Sequence, residues 1–373
     1  MLAAADMTVN PALGILIFCL GGLAGAVFYL PFKKVKSWAW ESYWLVYAVF
    51  GLLIVPWVLA FTFSPNVLAV LKAAPTNQMV YCCLCGAAWG VGGLTWGLMI
   101  RYLGVGLGLA IGCGLCSAAG TIVPKIIKGE FGTLFESTAG WVSFIGVFVS
   151  LAGIVLVGMA GMSKEHELPE EEKKKAVAEF DFKKGILVAI FSGLMSSAMN
   201  FGLQGGGTIE SLARTTDPIT SDAWKGMPVL VVVLFGGFLV NGLWCLFLNF
   251  KNKTTGDYAR SGAPIAANIV FAGLAGAIWC SQFICFKTGE PQMGDTAYVG
   301  WAVLMASAIL FSTLLGILLG EWKGTSGRTR SLLAGGLALL ILSAVIAGYS
   351  GYLGKADPAA PDAPPAPVEL RAR

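Results

Sequence analysis

The chain reads as long apolar runs separated by short polar punctuation. A membrane-crossing helix needs about 20 predominantly apolar residues. Ten runs approach or exceed that length: Pro11–Phe32, Trp44–Phe63, Met79–Ile100, Gly104–Ile127, Ala139–Ala160, Gly185–Gly202, Met227–Phe250, Pro264–Phe286, Ala297–Leu319 and Leu332–Tyr352. None of them contains an Asp or Glu. The pattern predicts an all-α integral membrane protein with ten transmembrane helices. The first run lacks a basic start and ends in Pro31-Phe32-Lys33-Lys34, so it reads as a span and not as a cleaved signal peptide.

The longest charged stretch, residues 164–184, divides the spans five and five. The expected organisation is a first five-helix repeat over 1–163, a charged cytoplasmic linker over 164–184, a second five-helix repeat over 185–354 and a Pro/Ala-rich disordered tail over 355–373. A repeat with an odd number of spans has to be inverted in the membrane, as in many secondary transporters. Two tight hairpins stand at matching places in the halves. Trp96–Gly104 joins spans three and four, and Ser281–Gly289 leads from span eight into span nine.

Composition agrees with this reading. Hydrophobic residues make up 56% of the chain, charged residues 12%, and mean hydropathy is +0.75. A soluble chain is nearer a quarter charged, so a cytosolic enzyme, a nucleic-acid binder and a disordered protein are excluded. Orientation follows from where Lys and Arg fall. Sixteen lie in the loops after spans one, three, five, seven and nine; nine lie in the other loops and the tail. The richer set is cytoplasmic, which places both termini outside a bacterial inner membrane.

Several chemistries drop out. The one histidine, His166, lies among glutamates and lysines, and no Walker A sequence is present. Cys113-x-x-Cys116 has no second pair to complete a metal site and reads as helix packing. Neither clustered aspartates nor paired intramembrane aspartates occur. No catalytic residue, metal or cofactor is expected, and the chain is not an enzyme. A structural or receptor role is left to saturable uptake to exclude.

Polar groups inside a membrane face the bundle interior or cap themselves. The interior amides are Asn200, Gln204, Asn241, Asn268 and Gln282, which suit sugar hydroxyls because each both donates and accepts; helix-to-helix hydrogen bonding is the simpler alternative. Among twelve tryptophans, Trp38, Trp40, Trp44, Trp57, Trp141, Trp224 and Trp322 read as interface anchors, while Trp89, Trp96, Trp244, Trp279 and Trp301 lie deeper. Trp89, Trp96 and Trp279 are candidates to stack on a pyranose, with helix packing as the alternative. The G-x-x-x-G pairs Gly21/Gly25, Gly93/Gly97, Gly108/Gly112 and Gly316/Gly320 predict close helix approach. No carboxylate lies at the centre of a span. The acids at the edges are Glu41, Glu290, Asp295 and Glu321. Glu290 precedes Pro291 in a turn expected to be wet, and Glu321 reads as part of an interfacial anchor, which leaves Glu41 and Asp295 as candidates for proton coupling.

The string Phe28-Tyr-Leu-Pro-Phe-Lys-Lys-Val-Lys36 with Trp38-Ala-Trp-Glu41 resembles the signature of the L-rhamnose–proton symporter family, within the drug/metabolite transporter superfamily. Trp89-Gly90, Gly97-Leu-x-x-Arg101-Tyr-Leu-Gly104, Ala198-Met-Asn200, Gln282-Phe283 and Glu321-Trp322 extend the resemblance through span nine. It implies ten helices and inward, proton-coupled transport of L-rhamnose or related 6-deoxy sugars. It also implies an aspartate shortly before a Ser-Trp at the start of span nine; here Gly300-Trp301 stands there and the nearest acid is Asp295. The expected partners are a neutral sugar, protons and membrane lipid, with no nucleic acid. The alternatives are a metabolite or nucleotide-sugar exporter of the same superfamily, or an uncoupled sugar facilitator.

Overall fold

A computed structural model describes residues 9–167, 182–260, 262–320 and 322–356. Most of the charged linker, the tail beyond Ala356 and Glu321 lie outside these residues. The described residues are helical throughout, without strands. The helices are α1 (Pro11–Val27), α2 (Trp40–Phe63), α3 (Val67–Ala73), α4 (Thr76–Ile127), α5 (Thr138–Glu167), α6 (Phe182–Gly205), α7 (Gly207–Thr215), α8 (Met227–Lys251), α9 (Ile265–Gly289), α10 (Gly300–Leu318) and α11 (Gly327–Ala356). Nine stretches among the described residues are long and apolar enough to cross a membrane, and Ile111–Ile127 is a shorter apolar one. The chain is a multi-pass membrane protein. The start of α1 meets the end of α11, with Gly351 against Pro11. That side is called here the terminal face; the side where α5 ends and α6 begins is the linker face.

Spans three and four depart from expectation. Helical backbone runs without a break from Thr76 to Ile127. The helix nevertheless folds back on itself. A Cβ on Gly112 would lie 2.8 Å from Met99 Sδ and 3.2 Å from the Trp96 ring, whereas sixteen residues of straight helix span about 24 Å. The first arm runs antiparallel to α6, with Thr95 bonded to Ser192 and Trp96 to Ser196. The second runs parallel to it, with Asn200 bonded to Gly120. The hairpin read from the sequence is present, its turn made of helical backbone rich in glycine.

Glycine sets how closely α1 packs. A Cβ on Gly21 would lie 2.8 Å from Leu304 of α10, and one on Gly25 2.7 Å from Gln282 Oε1 of α9, so α1 is seated between those two helices. Gly93 and Gly97 correct the packing expectation, because nothing lies within 4 Å of a Cβ on either. Gly320 adopts φ +78° as the chain leaves α10, so it ends a helix and pairs with none. In α2, residues Val49–Ile54 form a π-helical segment ahead of Pro56, whose ring and missing N–H disfavour the ordinary α ladder. Gly51 meets Gly276 of α9 backbone to backbone there. The region between the sixth and seventh apolar runs holds α7 and a 3-10 turn at Asp222–Trp224.

Candidate functional site: a cavity and an aromatic column

A cavity of about 400 Å³ opens at the terminal face. Its polar lining is Gln204 at the end of α6, Glu210 on α7, Lys287 and Glu290 at the end of α9, Lys128 after α4, and Asp222 with Lys225 before α8. Lys287 is only 4% exposed, and its ammonium lies 2.5 Å from Glu210 Oε1 while also pairing with Glu290. Gln204 donates its side-chain amide to the same Glu290 carboxylate. Glu290 is therefore no wet turn residue: its side chain is 11% exposed and held by a cation and an amide. Helix α9 extends past Phe286 to Gly289, which carries these charges into the bundle end. Asp222 has its own cations, Arg214 at 2.9 Å and Lys225 at 3.5 Å.

Beneath Gln204 a second, smaller space is lined by Thr121, Lys125, Asn200, Gln204 and Tyr298. Asn200 donates to the Gly120 carbonyl at 2.7 Å, and its own side-chain oxygen is buried without a hydrogen-bond partner. Gly120 lies against the Trp301 indole, whose N–H donates to the Cys116 carbonyl at 3.1 Å. From Trp301 an aromatic column runs toward the linker face. Ring centroids are 6.3 Å apart for Trp301–Phe283, 4.8 Å for Phe283–Trp279, 5.0 Å for Trp279–Trp89, 5.9 Å for Trp279–Tyr47 and 4.7 Å for Tyr47–Trp44. Trp44, expected as an interface anchor, faces inward and donates its indole N–H to Asn241 at 3.1 Å. Asn241 in turn donates to the Gly237 carbonyl of its own helix.

The expected site residues thus divide. Gln204 and Asn200 belong to the cavity and its floor. Trp89, Trp279 and Asn241 belong to the column. Gln282, 6% exposed, lies against Gly25. Trp96 is used in the α4 hairpin, its indole donating to Ser196 at 2.8 Å. Asn268 is not brought to the others. It lies at the linker face, where its amide accepts from Lys36 N at 3.0 Å and donates to Lys36 O at 2.8 Å, fastening the segment between α1 and α2.

The two coupling candidates lie at opposite faces. Asp295 is exposed in the turn between α9 and α10. Glu41 is buried at the start of α2, where it accepts from Asn252 and Thr254, each at 2.9 Å. Beside it the buried Asp257 accepts from Ala39 N and Ser42 Oγ, both at 2.8 Å, and pairs with Arg260 at 3.0 Å. Lys287, Glu210 and Phe283 were missed as site residues. The spacing Trp279, Phe283, Phe286, Lys287, Glu290 is a helical one, and it sets aromatic and charged groups along one side of α9.

Comparison with known proteins places this architecture. A family model described as "L-rhamnose-proton symport protein" matches residues 7–353. The L-rhamnose-proton symporter of Cronobacter sakazakii is 31% identical over 342 residues, covering 90% of this chain and 96% of that one. Its namesake in Klebsiella pneumoniae is 31% identical, covering 90% and 97%, and that of Yersinia pestis is 30% identical with the same coverage. A solved crystal structure aligns over 90% of this chain and 96% of its own with a TM-score of 0.51 at 15% identity, a likeness of fold alone. With the family matched from end to end of the helical region, the chain belongs to the L-rhamnose-proton symport protein family, whose members are transporters and not enzymes.

Proposed function

We propose that the chain imports a small neutral sugar, L-rhamnose or a related 6-deoxy sugar, with protons, by alternating access across the bacterial inner membrane. The observation that carries this is the 30–31% identity over 90% of the chain to proteins named L-rhamnose-proton symporters. The exporter reading finds no support among these relatives. The cavity supports the substrate class. Its volume falls within the range of small-molecule sites, its lining has three cations and three carboxylates, and no cation lacks an acid nearby to leave a phosphate-sized demand unmet, apart from the exposed Lys128. Beneath it, the open oxygen of Asn200 and the amide of Gln204 offer an acceptor and donors to hydroxyls. Trp89 and Trp279 pack ring on ring in the column toward the linker face, with Asn241 beyond them on Trp44.

The frame is ten spans in two inverted halves, counting the arms of α4 as two. The packing supports this pairing. Helix α1 packs on α9 and α10, as α6 packs on the first and second arms of α4; α2 packs on α9, as α8 packs on the first arm. The pairs α2–α8 and α5–α11 map onto themselves when the halves are exchanged. The terminal face is the outer one, because the richer set of basic loops lies opposite.

The test is uptake of labelled L-rhamnose by proteoliposomes under an imposed inward proton gradient. Saturable accumulation that collapses when the gradient is discharged is expected. Uptake that only equilibrates favours a facilitator, and exchange of a nucleotide sugar with no monosaccharide transport refutes the reading.

A further inference from the structure

We propose that Glu290 is the proton-binding carboxylate of the transport cycle, and that Lys287, Glu210 and Gln204 tie its protonation to sugar binding. The proposal rests on the reading of proton-coupled sugar transport. Its basis is a count of charges around one buried nitrogen. Lys287 Nζ is shared by Glu210 and Glu290, and all three side chains are largely withdrawn from solvent, at 4%, 19% and 11% exposure. The triad has one negative charge more than it has positive. One proton makes it neutral. The other charged groups lining the cavity are Lys128, which is exposed, and Asp222 with Lys225, which form a separate cluster with Arg214 about a quarter to a third exposed. Water screens that cluster more than it screens the Lys287–Glu290 pair.

The geometry also supplies the coupling. With Glu290 ionised, its carboxylate holds the Gln204 amide and half of the Lys287 ammonium. A proton on the carboxyl oxygen leaves Lys287 and Glu210 as a one-to-one pair. It releases the Gln204 N–H groups toward the cavity and gives Glu290 an O–H of its own to donate. Both are donors a sugar hydroxyl accepts from, beside the unpartnered oxygen of Asn200 that accepts in return. Proton and sugar then favour one another, and by linkage the effect is reciprocal. Asp295 has none of this, being exposed, and Glu41 lies at the far face on two neutral donors.

The experiment measures proton uptake on adding L-rhamnose to the purified full-length protein in weakly buffered detergent solution, and the pH dependence of rhamnose binding. Wild type and Asp295→Asn take up protons on binding, and their affinity improves as pH falls. Glu290→Gln binds sugar without taking up protons, and its affinity is flat with pH. Wild type that binds rhamnose with no proton uptake at any pH overturns both this proposal and the coupling of the function, whereas wild type that takes up protons beside a Glu290→Gln variant that does the same overturns this proposal alone. Should Glu290→Gln fail to fold, Glu210→Gln decides. It leaves Lys287 and Glu290 as a neutral pair, so sugar-linked proton uptake at neutral pH has to be lost; uptake at the wild-type level refutes the assignment.

Discussion

Replacing Lys287 with Met tests the charge triad without reference to transport. The side chain is close to isosteric, so the change removes an ammonium and little volume. Glu210 Oε1 lies 2.5 Å from Nζ, with a Glu290 oxygen on the same nitrogen. Two oxygens on one ammonium are at most about 5 Å apart, so without the cation their repulsion at an effective dielectric near 20 is at least about 3 kcal/mol. Removing one partner of a buried ion pair costs about 3–5 kcal/mol in proteins generally. The two estimates agree, so a loss of about 3–5 kcal/mol is expected, which by the unfolding entropy of globular chains of this length lowers the midpoint by about 5 °C. The readout is thermal unfolding in detergent, followed with a thiol-reactive dye, because Cys82, Cys116, Cys245 and Cys280 are free and buried. A proton on Glu290 removes the repulsion. The loss is therefore largest near pH 8 and shrinks as pH falls toward 5. The triple variant Glu210→Gln, Lys287→Met, Glu290→Gln returns close to wild-type stability, since neutral groups of similar size replace the ions. A Lys287→Met protein that melts within a degree of wild type at pH 8, with the same pH profile, refutes the reasoning.

Asn268→Ala leaves the Lys36 N–H and carbonyl unmet and costs about 1–3 kcal/mol of stability, with the rhamnose Kd unchanged in the folded fraction; isothermal titration beside the melt checks both. Gln282→Ala weakens rhamnose binding by about 1–3 kcal/mol, or roughly 5- to 150-fold, and a wild-type Kd removes Gln282 from the site. A sugar phosphate does not compete with rhamnose, because each buried cation of the cavity already holds a carboxylate; inhibition at equal concentration counts against a neutral-sugar site. A reporter active only in the cytoplasm, fused after Arg373, is silent, and a bright signal reverses the assigned orientation.

The existence of the spans was legible because lipid imposes one rule on every residue facing it, and apolar runs obey that rule without any tertiary knowledge. Boundaries were less legible. Trp40–Tyr43 lies outside the apolar run that marks the second span, yet it belongs to the helix, and its polar Glu41 and Ser42 are satisfied by partners more than 200 residues away, Asn252, Thr254, Asn249 and Asp257. The hairpin between spans three and four was legible where one apolar run gives way to the next, but the backbone stays helical through it, and no local propensity announces that a helix will fold back against Met99 and Trp96. The segment between the sixth and seventh runs was illegible for a similar reason. Its helix, α7, docks on α3 through Asn66, whose amide donates to the Ala213 and Thr216 carbonyls at 2.8 Å, with Thr220 bonded to Asn66 at 2.6 Å. That fit depends on two loops meeting, which neither loop encodes alone.

The site was half legible, and the division has a physical cause. Amides and deep tryptophans inside apolar runs stand out because their burial has to be explained, which is how Asn200, Gln204, Trp89 and Trp279 were found. Charged groups just past the apparent end of a run look solvated, and Glu290 before Pro291 was read that way. What decides their environment is how the ends of α6, α7 and α9 converge. At the linker face the same thing happens with a different chemistry: Glu41, Asp257, Asn249 and Asn268 are all buried, all hydrogen-bonded, and bridge α2 and the segment before it to α8, α9 and the turn between them. The two faces are thus not equivalent. The linker-face network has every described carboxylate matched by neutral donors or by Arg260, so it holds one arrangement firmly. The terminal-face triad is one proton short of neutral and borders open volume, so its best arrangement changes with protonation. An alternating-access carrier needs at least one gate whose preferred state depends on what is bound; Glu41, Asp257 and Arg260 also sum to one negative charge, but it is the terminal cluster whose acids line the cavity of about 400 Å³.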